Sequence, residues 1–123
     1  MQKYLNPLTR TNNMERLFVY GTLAPGEENF HLVEGINGHW ESATCYGRIF
    51  TQTKGAHIGL PRFEPSIKGE RVEGKIFSST ELINYWDMLD KFEGELYQRR
   101  LIPVKTGQGE ELEAYVYAHI DAV

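Results

Sequence analysis

Long apolar runs are missing from this chain of 123 residues. A typical one is Leu17–Tyr20, far short of the roughly 20 residues a helix needs to cross a bilayer. No membrane partner is therefore expected, and no apolar segment follows Lys3 that would make a secretory leader. Basic tracts are missing as well. Lys and Arg number 13 against 17 Asp and Glu, a formal charge of -4, and the densest cationic spot is the pair Arg99–Arg100. A nucleic-acid binder ordinarily carries a basic face, so no nucleic-acid partner is expected either. Cys45 is the sole cysteine, which excludes an internal disulfide and fits a reducing, cytoplasmic setting. Set in Ala43–Tyr46, it reads as a small buried hydrophobe rather than a nucleophile. HExxH, CxxC and HxH are absent. The histidines His31, His39, His57 and His119 show no ligand spacing with cysteine or carboxylates, so no metal site is expected.

What is present is an ordinary folding composition. Hydrophobic residues make up 41% and aromatic residues 12%, which excludes disorder over the whole chain. Residues 1–13, with Asn6–Pro7 and no periodicity, read as a flexible tail. Residues 14–123 read as a single domain of a size that needs no disulfide or metal to fold.

Most of that domain is strand-like. Leu17–Tyr20, Thr44–Gln52, Arg71–Phe77, Tyr97–Lys105 and Leu112–His119 are rich in β-branched and aromatic residues, and Val72, Gly74 and Ile76 alternate with Arg71, Glu73 and Lys75. The last two runs are joined by the hairpin-like turn Thr106–Glu110. Short strands with Gly-rich turns predict a barrel or curled sheet. Glu28–Glu34 predicts a short helix. A longer helix is predicted over 79–93, with Ser78 as N-cap, Glu81 completing a capping box and Gly94 beyond its end in a left-handed conformation.

Helical spacing puts Leu82, Trp86 and Leu89 on one stripe, flanked by Tyr85 and Phe92, with Asp87 and Asp90 on the solvated side. Glu93 is out of place. It follows Leu89 by four residues and Trp86 by seven, so it continues the apolar stripe. A carboxylate there either faces the interior, where desolvation and the helix dipole raise its pKa toward neutrality, swings into water at a frayed turn, or pairs with Arg99 or Arg100. Tyr20–Gly26 leaves the first strand directly. Its backbone N–H groups can hold an anion, or the segment is a plain turn. Glu27 and Glu28 stand where a nucleotide-binding loop needs Lys and Ser or Thr, which argues against nucleoside triphosphates.

The two features occur together in one family. Val19-Tyr20-Gly21-Thr22-Leu23 resembles the first motif, and Leu89-Asp90-Lys91-Phe92-Glu93-Gly94-Glu95-Leu96-Tyr97-Gln98-Arg99 the second motif, of the γ-glutamylcyclotransferase-like superfamily, in its AIG2-like and γ-glutamylamine cyclotransferase branch. The resemblance implies an α+β fold, a small mixed β-barrel with flanking helices. It implies a cyclising acyl transfer that releases 5-oxoproline and a free amine or amino acid from a small γ-glutamyl compound, with no metal or cofactor. Glu93 would be the general acid/base. Tyr20, Gly21, Thr22 and Leu23 would form the substrate loop, with Tyr97, Arg99 and Tyr115 as further site residues: Tyr97 or Arg99 would orient Glu93 or support the strand, and Tyr115 or Tyr117 would close the pocket with its hydroxyl or pack in the core. His31 and His57 lie where the family often has residues near the cavity. The alternative is a non-enzymatic small-molecule-binding AIG2-like domain. The resemblance leaves oligomeric state open.

Overall fold

In Glu15–Val19 (β1) the side chains of Leu17 and Val19 point to one side and Phe18 to the other, and all three are buried. A strand covered on both faces belongs at the centre of a fold. The computed structural model describes residues 14–20, 23, 25–51, 61–66 and 69–119. The further strands are β2 (His39–Thr51), β3 (Pro61–Pro65), β4 (Glu70–Ser79), β5 (Tyr97–Thr106) and β6 (Glu111–His119), and one α-helix, α1 (Trp86–Glu93), precedes β5.

The strands run β2-β4-β1-β6-β5, and β5 returns to β2 through Ala43↔Thr106 and Thr44↔Lys105, closing a five-stranded barrel. β1 and β6 are parallel, in register at Leu17↔Tyr115, and the other pairings are antiparallel, so the barrel is mixed as expected. β3 adds to the far half of β2, from Gly47↔Pro65 to Thr51↔Pro61. The sequence reading passed over β3. Its terminal prolines obscure it, yet they are tolerated because β3 is an edge strand. The β5–β6 hairpin is set by Thr106, whose Oγ1 accepts the N–H groups of Gln108 and Glu110 at 3.3 and 3.1 Å. Gly109 supplies the positive φ of 89°.

Alternation divides the core in two. Phe18, Ala43, Cys45, Val72, Ile76, Ile102, Val104, Ala114, Val116 and Ala118 fill the barrel, with Phe63 from β3. Leu17, Val19, Phe77 and Tyr117 face outward from the same strands and meet Leu82, Trp86 and Leu89 beneath α1. The apolar stripe of the sequence is therefore the seam between helix and barrel.

The helix begins later than the sequence predicts. Ser78 and Ser79 remain in β4, Leu82–Asn84 forms a 3-10 turn, and α1 starts at Trp86 without a side-chain cap. Ser79 is buried, and its hydroxyl donates to the Asn37 carbonyl while accepting the Glu81 N–H at 2.9 Å. Glu81 turns to Asn37 instead of closing a capping box. Gly94 ends α1 with the positive φ expected, 91°, but with ψ -179° it is extended rather than left-handed helical, and its N–H donates to the Asp90 carbonyl. Within Glu28–Glu34 only Phe30–Leu32 is helical, as a 3-10 turn. Residues 1–13, Gly21, Thr22, Ala24 and His57 lie outside the described residues.

Candidate active site

The charge of Glu93, at the end of α1, reaches the hydroxyl of Tyr20, just past the end of β1. Tyr20, the first residue past β1, packs its ring on Phe63 at 5.2 Å and donates its hydroxyl to the Tyr117 carbonyl at 3.2 Å. Its hydroxyl is held protonated, first by burial and then by the nearby charge of Glu93 and the proximity of Tyr97. That coupling puts Tyr20, Glu93 and Tyr97 in one electrostatic neighbourhood, although they lie on β1, α1 and β5.

Glu93 sits where the stripe points. Its carboxyl is mostly withdrawn from water, and burial pushes its pKa up to about 7. Among the described residues it joins no ion pair. The pairing with Arg99 or Arg100 that the sequence left open is not formed, and the Arg99 guanidinium is taken by Asp90 instead. Arg99 Nε donates to Asp90 Oδ1 at 2.8 Å and Nη2 to Oδ2 at 3.3 Å. Tyr117 donates its hydroxyl to Asp90 Oδ1 at 2.6 Å. Asp90 is therefore not a bare member of a solvated face. Partial burial works against its charge, but the hydrogen bonds from Arg99 and Tyr117 and the Arg99 charge prevail and hold its carboxyl below the usual range. The Arg99 guanidinium also lies over Trp86, 4.4 Å from the ring centroid, and 5.4 Å from that of Tyr115.

Of the other expected site residues, Leu23 buries its side chain in the core under α1, which leaves its backbone for any contact with a ligand. Tyr97 opens β5 and is buried in the same cluster. Tyr115 is partly buried and meets Trp86 edge to face. Tyr97, Arg99 and Tyr115 come together with Asp90 and Gly94 around an open depression of about 700 Å³ beside the end of α1. The sequence singles out Tyr117 for its hydroxyl and puts Asp90 on the solvated side, but does not pair the two. The signal available was that Asp90 and Arg99 both belong to the second motif. Among the described residues no cluster of three or more His, Cys, Asp or Glu could hold a metal. Among the described residues no helix is long and apolar enough to cross a membrane.

A buried carboxyl near neutrality can both take and return a proton. Its charge reaches the protonated phenol of Tyr20, in the first motif.

The comparisons with known proteins name the class. Residues 17–122 match the family "Gamma-glutamyl cyclotransferase, AIG2-like", and the chain belongs to it. It is 36% identical over 113 residues to gamma-glutamylaminecyclotransferase A of Danio rerio, covering 83% of this chain and 67% of that one. To gamma-glutamylaminecyclotransferase B of the same organism it is 35% identical over 115 residues, covering 85% and 59%. An AIG2-like protein from Mus musculus shares the fold with a TM-score of 0.65 at 24% identity, over 89% of this chain and 80% of that one.

Proposed function

We propose that this protein is a γ-glutamyl cyclotransferase with Glu93 as its single general acid/base. The observation that carries the reading is Glu93 itself: a carboxyl withdrawn from water, without an ionic partner among the described residues, in the electrostatic neighbourhood of Tyr20.

The substrate is a small γ-glutamyl amine or amino-acid conjugate. Its α-ammonium gives a proton to the Glu93 carboxylate. The freed amine attacks the γ-carbonyl carbon, a C–N bond forms, and the carbonyl oxygen takes up negative charge. Collapse of that intermediate breaks the bond to the leaving amine, which takes the proton back from Glu93, and the ring nitrogen then passes its second proton through Glu93 to the freed amine, which departs as an ammonium ion. The products are 5-oxoproline and a free amine, and the enzyme ends in its starting state. Backbone N–H groups of Gly21, Thr22 and Leu23 hold the α-carboxylate or the developing oxyanion, where fixed donors in a dry site act most strongly. Tyr20, Tyr97 and Tyr115 wall the substrate. Ring closure is intramolecular, so folding the glutamyl chain supplies much of the rate.

The test is a panel of γ-glutamyl amines and γ-glutamyl amino acids with 5-oxoproline as the readout. Turnover of at least one compound supports the reading. If compounds bind, by calorimetry, and none yields 5-oxoproline, the chain is a binding domain and the proposal is wrong.

A further inference from the structure

We infer that Asp90, Arg99 and Tyr117 form a positioning unit that fixes the last turn of α1 and with it the Glu93 carboxyl, an inference that rests on the reading of Glu93 as the acid/base. α1 is eight residues long and starts without a side-chain cap. Helices this short are not stable alone, so their ends stay where packing and side-chain contacts hold them. Trp86 and Leu89 hold its first turn. The last turn, which carries Glu93, is held by Asp90, three residues earlier.

Asp90 accepts three hydrogen bonds from two strands. Two come from the Arg99 fork on β5, at 2.8 and 3.3 Å, and one from the Tyr117 hydroxyl on β6, at 2.6 Å. A fork of this kind fixes orientation as well as distance. Arg99 is fixed in turn by the faces of Trp86 and Tyr115, and Trp86 Nε1 donates to Glu15 Oε1 at 3.0 Å. Tyr117 reaches the other side of the site too, since its carbonyl accepts the Tyr20 hydroxyl. One residue therefore touches both the helix that carries Glu93 and the tyrosine that opens the first motif.

Exposure argues that this unit serves geometry more than stability. The Arg99 and Asp90 side chains keep 27% and 42% of their surface in water. Ion pairs that exposed contribute little to folding. The groups that feel the Glu93 charge are Tyr20, just past β1, and Tyr117 on β6. Loosening the last turn admits water to the Glu93 carboxyl and moves it from the attacking amine.

The experiment compares Asp90→Asn, Arg99→Lys, Tyr117→Phe and Glu93→Gln with the full chain. Readouts are kcat, KM, the pH profile of kcat/KM, melting temperature, and titration of the Glu93 carboxyl by carbon NMR without substrate. For the first three variants kcat should fall about 10–100-fold, the range of a misplaced catalytic group. KM should change less than about threefold, and the Glu93 titration should move down toward the ordinary carboxylate range. Tyr117→Phe changes no charge near Glu93, and Arg99→Lys keeps the charge while losing the fork. Either one separates geometry from electrostatics, and both carry the test if Asp90→Asn fails to fold. Wild-type kcat and an unmoved Glu93 titration in these variants, whatever their melting temperatures, overturn the inference. Restoration of full kcat in Arg99→Lys also overturns it. An active Glu93→Gln overturns the underlying reading instead, so the two failures are distinct.

Discussion

Asp90 and Glu93 stand three residues apart at the end of one helix, in opposite environments. Arg99 and Tyr117 hold the Asp90 carboxyl below the usual range against its partial burial, while burial pushes Glu93 up to about 7. Two carboxyls whose surroundings drive their titrations apart are a recurring sign of divided labour. Here the division is between a carboxyl that anchors and one that can exchange protons.

The Glu93 shift makes stability depend on pH with a definite sign. The folded state binds its proton more tightly than the unfolded chain, where the carboxyl titrates near 4.5. Its contribution is therefore complete below about pH 4 and is lost as pH rises through about 7, after which it is flat. The span corresponds to about 3 kcal/mol as an order-of-magnitude ceiling. Glu93→Gln removes this dependence. Melting curves of the two proteins should nearly coincide at pH 4 and separate by several degrees at pH 8, with the variant more stable. A variant less stable at pH 8 would show that the Glu93 charge is stabilised in the fold.

Much of the architecture was legible because alternation and helical spacing are local. The β4 pattern of Val72, Gly74 and Ile76, the hairpin at 106–110, the stripe Leu82–Trp86–Leu89 and the inward position of Glu93 all follow from side-chain direction along one element. What failed depended on partners far along the chain. Ser78 and Glu81 look like a capping box, yet β4 pairs through Ser79 with Glu15 and through Ser78 with His39. That long-range pairing overrode the local cap. Asp90 lies on the polar side of its helix by period, but the strands that face it bring Arg99 and Tyr117, and no period within residues 79–93 encodes them. The loop residues Gly21 and Thr22 and the segment around His57 lie outside what the structure describes.

Cys45 points into the barrel, and burial pushes its thiol up to about 12. Its thiolate fraction at pH 8 is on the order of 10⁻⁴, too small for ready reaction. Labelling by a thiol reagent should need denaturant and proceed at the rate of unfolding. Complete labelling of the native protein within minutes would place the thiol in an open site.

Gly74 is required by close approach. A Cβ there would lie 2.7 Å from Phe18 Cζ and would strike the Val19 carbonyl oxygen. That oxygen belongs to the backbone just before Tyr20, so it cannot give way without moving the start of the first motif. Gly74→Ala should cost about 1–3 kcal/mol or more, in the manner of an overpacked core. The urea midpoint should fall with an unchanged slope. A midpoint within error of the wild type would mean that β1 shifts freely against β4.

The most direct test of the central claim is the pH dependence of kcat/KM for 5-oxoproline release, measured for the wild type and Glu93→Gln side by side. The wild type should show an acidic limb with an apparent pKa near 7, set by the buried carboxyl and rising with pH as Glu93 becomes a base. Glu93→Gln should lose about 10²–10⁴-fold or more and the limb with it, since one group serves both proton transfers. A variant within about tenfold of wild type that keeps the same limb would contradict the account and assign the proton transfers to another group.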